Sequence, residues 1–307
     1  MLSLLRIFFG LFLIFSWCES VEAGNSLSRL HLGTYNIRNF GAGKFKNVDQ
    51  TTNQFLLKQI ISEANSDIMT VQEIVDETAF AQFLENSFPH YKFILSKCGG
   101  TGNQKLGIIY NSNYFKLNWS AEDQRITDGD SCHGGLRPAL IAELESISGR
   151  AKIHVVAVHL KAGGRPSNIE TRFRQLEIIG KIVEELRQKN RNHIVIMGDF
   201  NTTEYIEGGE YAERFKSKIR ELNLVDFAEE IDCSSYWKGA LPEENLRIAS
   251  LLDHIIVSKE LHTEFKRDTS QSLAHCKKKS CRQETVEGLG LTYTEVSDHC
   301  PVVAKLF

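Results

Sequence analysis

The sequence predicts a mixed α/β fold in one domain, from about residue 25 to residue 307. Three observations point there. Strand-like apolar runs alternate with segments of helical period along the whole chain. No repeat, low-complexity tract or linker-like shift in composition divides it. The short run Ile194–Met197 is continuous and rich in β-branched residues, as in a strand buried on both faces. The chain has 307 residues and a formal charge of −3. That charge excludes a uniformly basic nucleic-acid coat, so a polyanion has to be met by a local patch or a metal.

Residues 1–23 read as a secretory signal. Arg6 is the only charge before Glu19, Ile7–Trp17 is an apolar run, and Val21-Glu22-Ala23 offers a small-residue cleavage site. A spanning helix needs about 20 apolar residues, so the run is short for a permanent anchor. The expectation is a secreted protein, extracellular or periplasmic, with no stable membrane anchor, treated as a monomer. Cys18 leaves with the signal; Cys98, Cys132, Cys233, Cys276, Cys281 and Cys300 remain. An even set in an exported chain reads as disulfides, against the alternative of buried free thiols. Cys98 and Cys132 each sit in a Gly-rich loop ahead of a strand and form the first expected pair. Cys276 and Cys281 bracket Lys277, Lys278 and Lys279 and would close a small loop. Cys233 with Cys300 follows by elimination.

The elements follow in order. Leu30–Ile37 is strand-like and precedes a loop, 38–46, with two glycines. Asp49–Ala64 places Phe55, Leu56, Ile60 and Ala64 at helical spacing. Asp67–Gln72 is a strand running into Glu73. Tyr91–Leu95 and Leu106–Tyr110 are strands around the Gly-rich loop 98–104. Arg137–Leu144 and Lys152–Leu160 read as neighbouring strands joined at Ser148-Gly149. Ser167-Asn-Ile-Glu170 has the form of a capping box. It opens a helix whose apolar stripe is Ile169, Phe173, Leu176, Ile179, Val183 and Leu186. The strand at 194–198 follows, then a helix over Glu210–Leu222 and strands over Leu251–Ser258 and Pro301–Leu306.

Polar groups cluster at the strand ends, where α/β enzymes present their chemistry. Asn36 and Glu73 end the first two strands. Arg137 opens one strand and His159 closes the next. Asp199 and Asn201 sit two apart after the core strand, on one face if the extended backbone continues. Asp253 begins a late strand, and Asp298-His299 precedes the last one. Each has an ordinary alternative: Asn36 as a turn former, Glu73 as a solvated helix start, Arg137 as a surface pair, His159 as a satisfied histidine, Asp298 as a cap.

Six strings connect these residues: Thr34-Tyr-Asn-Ile37, Val71-Gln-Glu-Ile74, Val158-His-Leu160, Gly198-Asp-Phe-Asn201, Leu252-Asp-His-Ile255 and Ser297-Asp-His299. In kind and order they resemble the endonuclease/exonuclease/phosphatase superfamily, the fold of deoxyribonuclease I. The resemblance spans nearly all of the mature chain. It implies a two-layered β-sandwich flanked by helices, a four-layer α/β/β/α arrangement, with residues 24–307 as the catalytic domain and the site at one end of the sheets.

The resemblance also implies metal-assisted phosphodiester hydrolysis. Glu73, with Asn36 beside it and Asp298 in support, would hold Mg²⁺ or Mn²⁺; Ca²⁺ is left as a structural ion. His299 would act as base toward water with its ring oriented by Asp253. His159 would hydrogen-bond the scissile phosphate or protonate the leaving oxygen. Asp199 and Asn201 would position nucleophile and phosphate, and Arg137 would contact a phosphate. Two positions depart from the family pattern. Arg38 stands where some members carry an acid of the metal site, and is assigned to phosphate instead. Gln104 stands where deoxyribonuclease I-like members carry a Glu supporting the first histidine.

The superfamily's substrates range from nucleic acids to lipids, so fold alone does not choose. Basic residues near the strings, among them Lys44, Lys46, Lys161, Arg165, Arg172 and Arg174, favour a nuclease with DNA as substrate. Lys277–Lys279 would hold the backbone beyond the cleaved phosphate. A sphingomyelinase-like lipid enzyme would need an exposed apolar hairpin, for which Tyr236-Trp237 is the candidate. A third reading is a non-catalytic binding or toxin-delivery module.

Overall fold

The computed structural model describes residues 29–45, 48–49, 51–206 and 208–307; the stretch 1–23 expected to be a secretory signal and Lys46 lie outside them. The first half comprises strand β1 (Leu30–Phe40), the short hairpin β2 (Lys44–Phe45) and β3 (Val48–Asp49), helix α1 (Gln54–Ala64), β4 (Ile68–Ile74), α2 (Glu77–Ser87), β5 (Tyr91–Leu95), β6 (Lys105–Asn111), β7 (Phe115–Asp123), β8 (Ala139–Ser146) and β9 (Lys152–His159). Then come α3 (Pro166–Gln188), β10 (Ile194–Asp199), α4 (Gly209–Glu221), β11 (Leu224–Asp226), β12 (Ser235–Trp237), β13 (Leu246–Ser250) and β14 (Asp253–Ser258). The last stretch holds α5 (Lys259–Glu264), β15 (Arg267–Ser272), α6 (Ala274–Lys279), β16 (Glu284–Thr285), α7 (Val286–Leu289), α8 (Leu291–Thr294) and β17 (Val302–Leu306).

Two six-stranded sheets face each other, ordered β15-β17-β1-β4-β6-β5 and β11-β14-β10-β9-β8-β7. Each contains one parallel pair, β1–β4 in the first and β9–β10 in the second, amid antiparallel neighbours. Each pair is joined by a crossover helix, α1 or α3, lying on its sheet's outer face. The sheet interface buries Leu30, Leu32, Ile68, Ile108, Val155 and Val195. On the outer faces, α1 and α2 cover Tyr35, Met69 and Val71 with Leu57, Ile61 and Phe80, while α3 lays its predicted stripe on the second sheet. The layers are therefore α/β/β/α, as the sequence leads one to expect. Ile194–Met197 is fully enclosed. Cutting one such side chain back to Ala costs about 2–5 kcal/mol.

Several local expectations change. Helix α3 starts earlier than the capping box: Arg165 is its N-cap and Pro166 occupies the first turn, where fixed φ and a missing N–H suit it. Helix α1 starts at Gln54, because Asn53 caps it by accepting from the Leu56 N–H at 3.1 Å. Arg137 precedes β8, and β14 begins at Asp253. Helix α2 and strand β7 add to the expected elements.

A third, small core packs Tyr236, Leu289 and Tyr293 around cysteines. Cys98 bonds Cys132 as expected, but the other pairs are Cys233–Cys281 and Cys276–Cys300. The expected Cys276–Cys281 and Cys233–Cys300 pairs are thus corrected. The segment 276–281 is no self-closing loop. It is helix α6 ended by Ser280 and Cys281 in left-handed conformations, which separate the two thiols. Non-reducing peptide mapping should recover Cys276 linked to Cys300 and Cys233 linked to Cys281; a Cys276–Cys281 peptide would contradict this packing.

Candidate active site

The site lies where both parallel strand pairs end. β1 delivers Asn36, β4 Glu73, β9 His159 and β10 Asp199; β14 adds Asp253 and the approach to β17 adds Asp298 and His299. Within β10, Gly198 is required by close approach: a Cβ there would sit 1.9 Å from the Val158 carbonyl oxygen. Glycine therefore lets the pair close just before its two functional residues.

The Asn36 amide ties the sheets together. Its Nδ2 donates to Glu73 Oε1 at 3.2 Å and to Asp199 Oδ2 at 3.1 Å. His159 Nε2 lies 3.3 Å from Asp199 Oδ2 and 3.9 Å from Glu73 Oε1. His299 Nδ1 lies 2.8 Å from Asp253 Oδ2, and its Nε2 is 3.7 Å from Asp199 Oδ2. Asn36, His159, Asp199, Asp253 and His299 are all buried. Asp199, Asp253 and His299 present ligand atoms within 4.8 Å of one another, a grouping able to hold a metal ion.

Glu73 reaches this cluster through a backbone exception. In β4, Met69 and Val71 face the helices, and strict alternation would send Glu73 with them. Its φ of 66° breaks the alternation, and the Asn39 N–H holds Oε2 at 3.0 Å. A non-glycine residue there costs on the order of 1–3 kcal/mol and persists only where its surroundings impose it.

Electrostatics separate the groups. Burial raises the Glu73 pKa, and the nearby charge of Asp298 raises it further. Burial pushes Asp199 well above the carboxylate range against the countering charge of His299, and Asp253 adds to the rise. Burial lowers His159 well below 6.5, and the charges of Arg137 and His299 act the same way. For His299 burial acts downward too, but Asp253 and Asp199 outweigh it and hold its pKa well above 6.5. Two crowded carboxylates at Glu73 and Asp298 are an environment that a dication would relieve.

Other sequence assignments move. Arg38 donates from Nη1 and Nη2 to the carbonyls of Tyr293 and Thr294, at 3.0 and 2.8 Å. It braces the segment leading to Asp298, and its fork is spent on backbone in place of phosphate. Gln104 donates to Asn39 Oδ1 at 2.8 Å, and His159 Nδ1 is buried without a partner, so Gln104 does not orient that ring. Asn201 has φ 54°, which ends the extended run; its Nδ2 donates to the Leu160 carbonyl at 3.2 Å, so it does not share a strand face with Asp199. Arg137 Nη2 donates to the same carbonyl at 3.0 Å, within electrostatic reach of Glu73 and Asp199. Lys277 and Lys278 are exposed on α6, while Lys279 lies 3.5 Å from Glu284. Arg172 is buried against Glu204 at 2.6 Å, so it is no free surface charge. Tyr236 is fully buried and Trp237 Nε1 donates to Ser250 Oγ at 2.7 Å, which removes the candidate apolar hairpin that the lipid-enzyme alternative would need.

Sequence reasoning missed the residues that hold this cluster. Ser234 Oγ donates to Asp253 Oδ2 at 2.7 Å and accepts the Asp253 N–H at 2.9 Å. Ser297 Oγ donates to the Asn36 carbonyl at 2.7 Å and accepts the His299 N–H at 3.1 Å. Behind the Asp199 loop, His254 joins Asp226 and Thr202, each at 2.8 Å, inside the core. Ser297 and His254 stand within the quoted strings; nothing in the sequence marks Ser234.

A model of the endonuclease/exonuclease/phosphatase family matches residues 33–299. No curated protein matches at a significant level. Among solved structures the chain is similar to the human Nocturnin catalytic domain with bound sulfate, at 17% identity and TM-score 0.64, over 91% of this chain and 94% of that one. It is similar to a mannosyl-6-phosphatase of Bacteroides thetaiotaomicron at 17% identity and TM-score 0.62, over 91% and 99%. It is also similar to D. rerio TDP2 complexed with a single-strand DNA product, at 16% identity and TM-score 0.62, over 91% and 99%.

The His159 environment has a pH signature. A pKa lowered in the folded state gives a stability contribution present above the unfolded value, about 6.5, and lost as pH falls below it toward the folded value. In metal-free protein, His159→Gln should therefore lose less thermal stability than wild type between about pH 7 and pH 5.5. Parallel losses in both proteins would show that His159 is not held neutral.

Proposed function

The chain belongs to the endonuclease/exonuclease/phosphatase family, and from that premise we propose a secreted, Mg²⁺-dependent phosphodiesterase acting on nucleic acid, DNA foremost. One observation carries the reading: Asn36, Glu73, His159, Asp199, Asp253 and His299 converge at one end of the two sheets.

Glu73 and Asp298, with Asn36 alongside, are the residues to hold Mg²⁺; Mn²⁺ fits the same oxygen donors. When bound, the ion supplies polarisation of a phosphoryl oxygen and a positive charge that counters the protonated form of His299. Asp253, fixed by Ser234, orients the His299 ring so that Nε2 faces the reacting water as base. His159, neutral in its buried setting, donates a hydrogen bond to a phosphoryl oxygen. Asp199, its pKa raised, is the better source of a proton for the leaving oxygen near neutral pH. Arg137 adds a partly desolvated positive charge for the phosphate.

DNA is favoured by the single-strand product described with the TDP2 relative and by Lys161 and Arg165 on the loop directly after His159. Lys277 and Lys278 are further candidates for backbone contact. The mannosyl-6-phosphatase relative supports a second reading, a small phosphoester substrate. Assays on plasmid DNA, single-stranded DNA, a sugar phosphate and sphingomyelin vesicles, each with and without EDTA, separate these. DNA turnover abolished by EDTA is expected; turnover of only the sugar phosphate would move the substrate, and turnover of none would leave a binding module.

Two substitutions test the roles. Glu73→Gln keeps size but removes the charge, so most turnover should vanish in a folded protein and excess Mg²⁺ should restore little. His299→Ala should lose at least about 100-fold, and Asp253→Asn much of that. Because they act as a unit, the double variant should fall well short of the product of the two losses. Fully multiplicative losses would show that the two act independently.

A further inference from the structure

A second polar pocket lies at the other end of the second sheet. Its volume is about 480 Å³, within the usual size of small-ligand sites. Trp119 of β7, Glu143 of β8, Lys152 of β9, Arg150 from the β8–β9 turn, and Lys189 and Arg191 from the α3–β10 connection line it. His154, buried, lies near the start of β9, whereas His159 ends the same strand at the catalytic cluster. Five residues of strand put roughly 17 Å between them, so one bound phosphate cannot serve both places.

The charge in this pocket is unbalanced. Glu143 is its sole acid, and its oxygens are saturated. Asn118 donates to Oε1 at 2.9 Å, Trp119 Nε1 to Oε2 at 3.0 Å, and His154 Nε2 lies 3.0 Å from Oε2. Burial opposes its charge, but these bonds outweigh that and hold its pKa near 2, so it remains an anion. It organises two of the cations, with Lys152 Nζ at 3.7 Å and Arg191 Nε at 3.6 Å, and Arg191 lies over the Trp119 ring at 4.7 Å. Arg150 and Lys189 are exposed at the rim, and Lys189 lies within electrostatic reach of Glu185, one turn back on α3. Four permanent cations thus line the pocket with one carboxylate, while Glu145 and Glu185 act on Lys152 and Lys189 from outside the lining, in a chain whose formal charge is −3. The excess of positive charge inside the lining favours entry of an anion.

We propose that this pocket binds a small phosphate monoester of nucleotide size, separately from the catalytic centre. The phosphate meets Arg150 and Lys189 at the rim, and Lys152 and Arg191, pinned by Glu143, present their remaining N–H groups. The Trp119 edge supplies the wall for the organic part.

Calorimetric titration of the purified protein with adenosine monophosphate in EDTA, at physiological salt, tests this without turnover. One saturable site with a dissociation constant below about 1 mM is expected, with inorganic phosphate competing and adenosine not binding. Arg150→Ala combined with Lys189→Ala should weaken binding at least about tenfold. Arg150→Glu alone should do likewise, and His159→Ala should leave it unchanged. In a Trp237→Phe background, the fluorescence of Trp119 should follow occupancy. Absence of saturable binding, or binding lost in His159→Ala and retained in the Arg150/Lys189 variant, would overturn the proposal.

Discussion

The Asn36 side chain is the constraint on which the site depends. One amide donates to Glu73 on its own sheet and to Asp199 on the facing sheet. Neither carboxylate has a protein cation of its own at hydrogen-bond distance in this corner, so the amide spaces two groups that would otherwise repel. Its position is fixed in turn: Ser297 holds the Asn36 carbonyl, and the Arg38 N–H donates to Oδ1 at 3.0 Å. A buried amide with both ends committed cannot flip without breaking these bonds, so the gap between the sheets is set in distance and in polarity.

Around it the backbone bends instead of running on. Arg38, Asn39, Glu73 and Asn201 all take left-handed conformations, at φ 42°, 51°, 66° and 54°. The sheets thus supply direction and depth, and short strained stretches at their ends turn side chains inward. The strain is held by specific bonds: the Asn39 N–H to Glu73, the Asn201 N–H to Asp199 Oδ1 at 2.8 Å, and Arg38 to the carbonyls before Asp298.

The layers of the fold were readable because periodicity reports burial: Ile194–Met197 and the stripe of α3 follow from it. Asn36, Glu73, His159, Asp199, Asp253 and His299 were readable because polar residues at the ends of apolar strands are conspicuous. What bends or reaches across was not readable. The left-handed turn at Glu73 has no pattern in the chain, and neither has the choice of Arg38 for two carbonyls or of Gln104 for Asn39. Ser234 is the clearest case. It orients Asp253 from a neighbouring segment, and a serine after a cysteine carries no signal of that. The cysteine pairs failed for the same reason: α6 is too short for period to reveal, yet it decides which thiols meet.

Sheet order places the beginning and the end of the described chain side by side, with β17 hydrogen-bonded along β1 from Leu30↔Leu306 to Thr34↔Val302. The bond from Ser297 to Asn36 closes a span of 261 residues. A polypeptide whose synthesis has not passed residue 299 therefore lacks the inner partner of its first strand, the imidazole, and the clamp on Asn36. Such a chain has Glu73, His159 and Asp199 but neither the imidazole nor the Ser297 bond that completes their centre. The hydrolytic apparatus is therefore complete only once the chain has been made through β17, so its order of assembly follows the sheet and not the sequence.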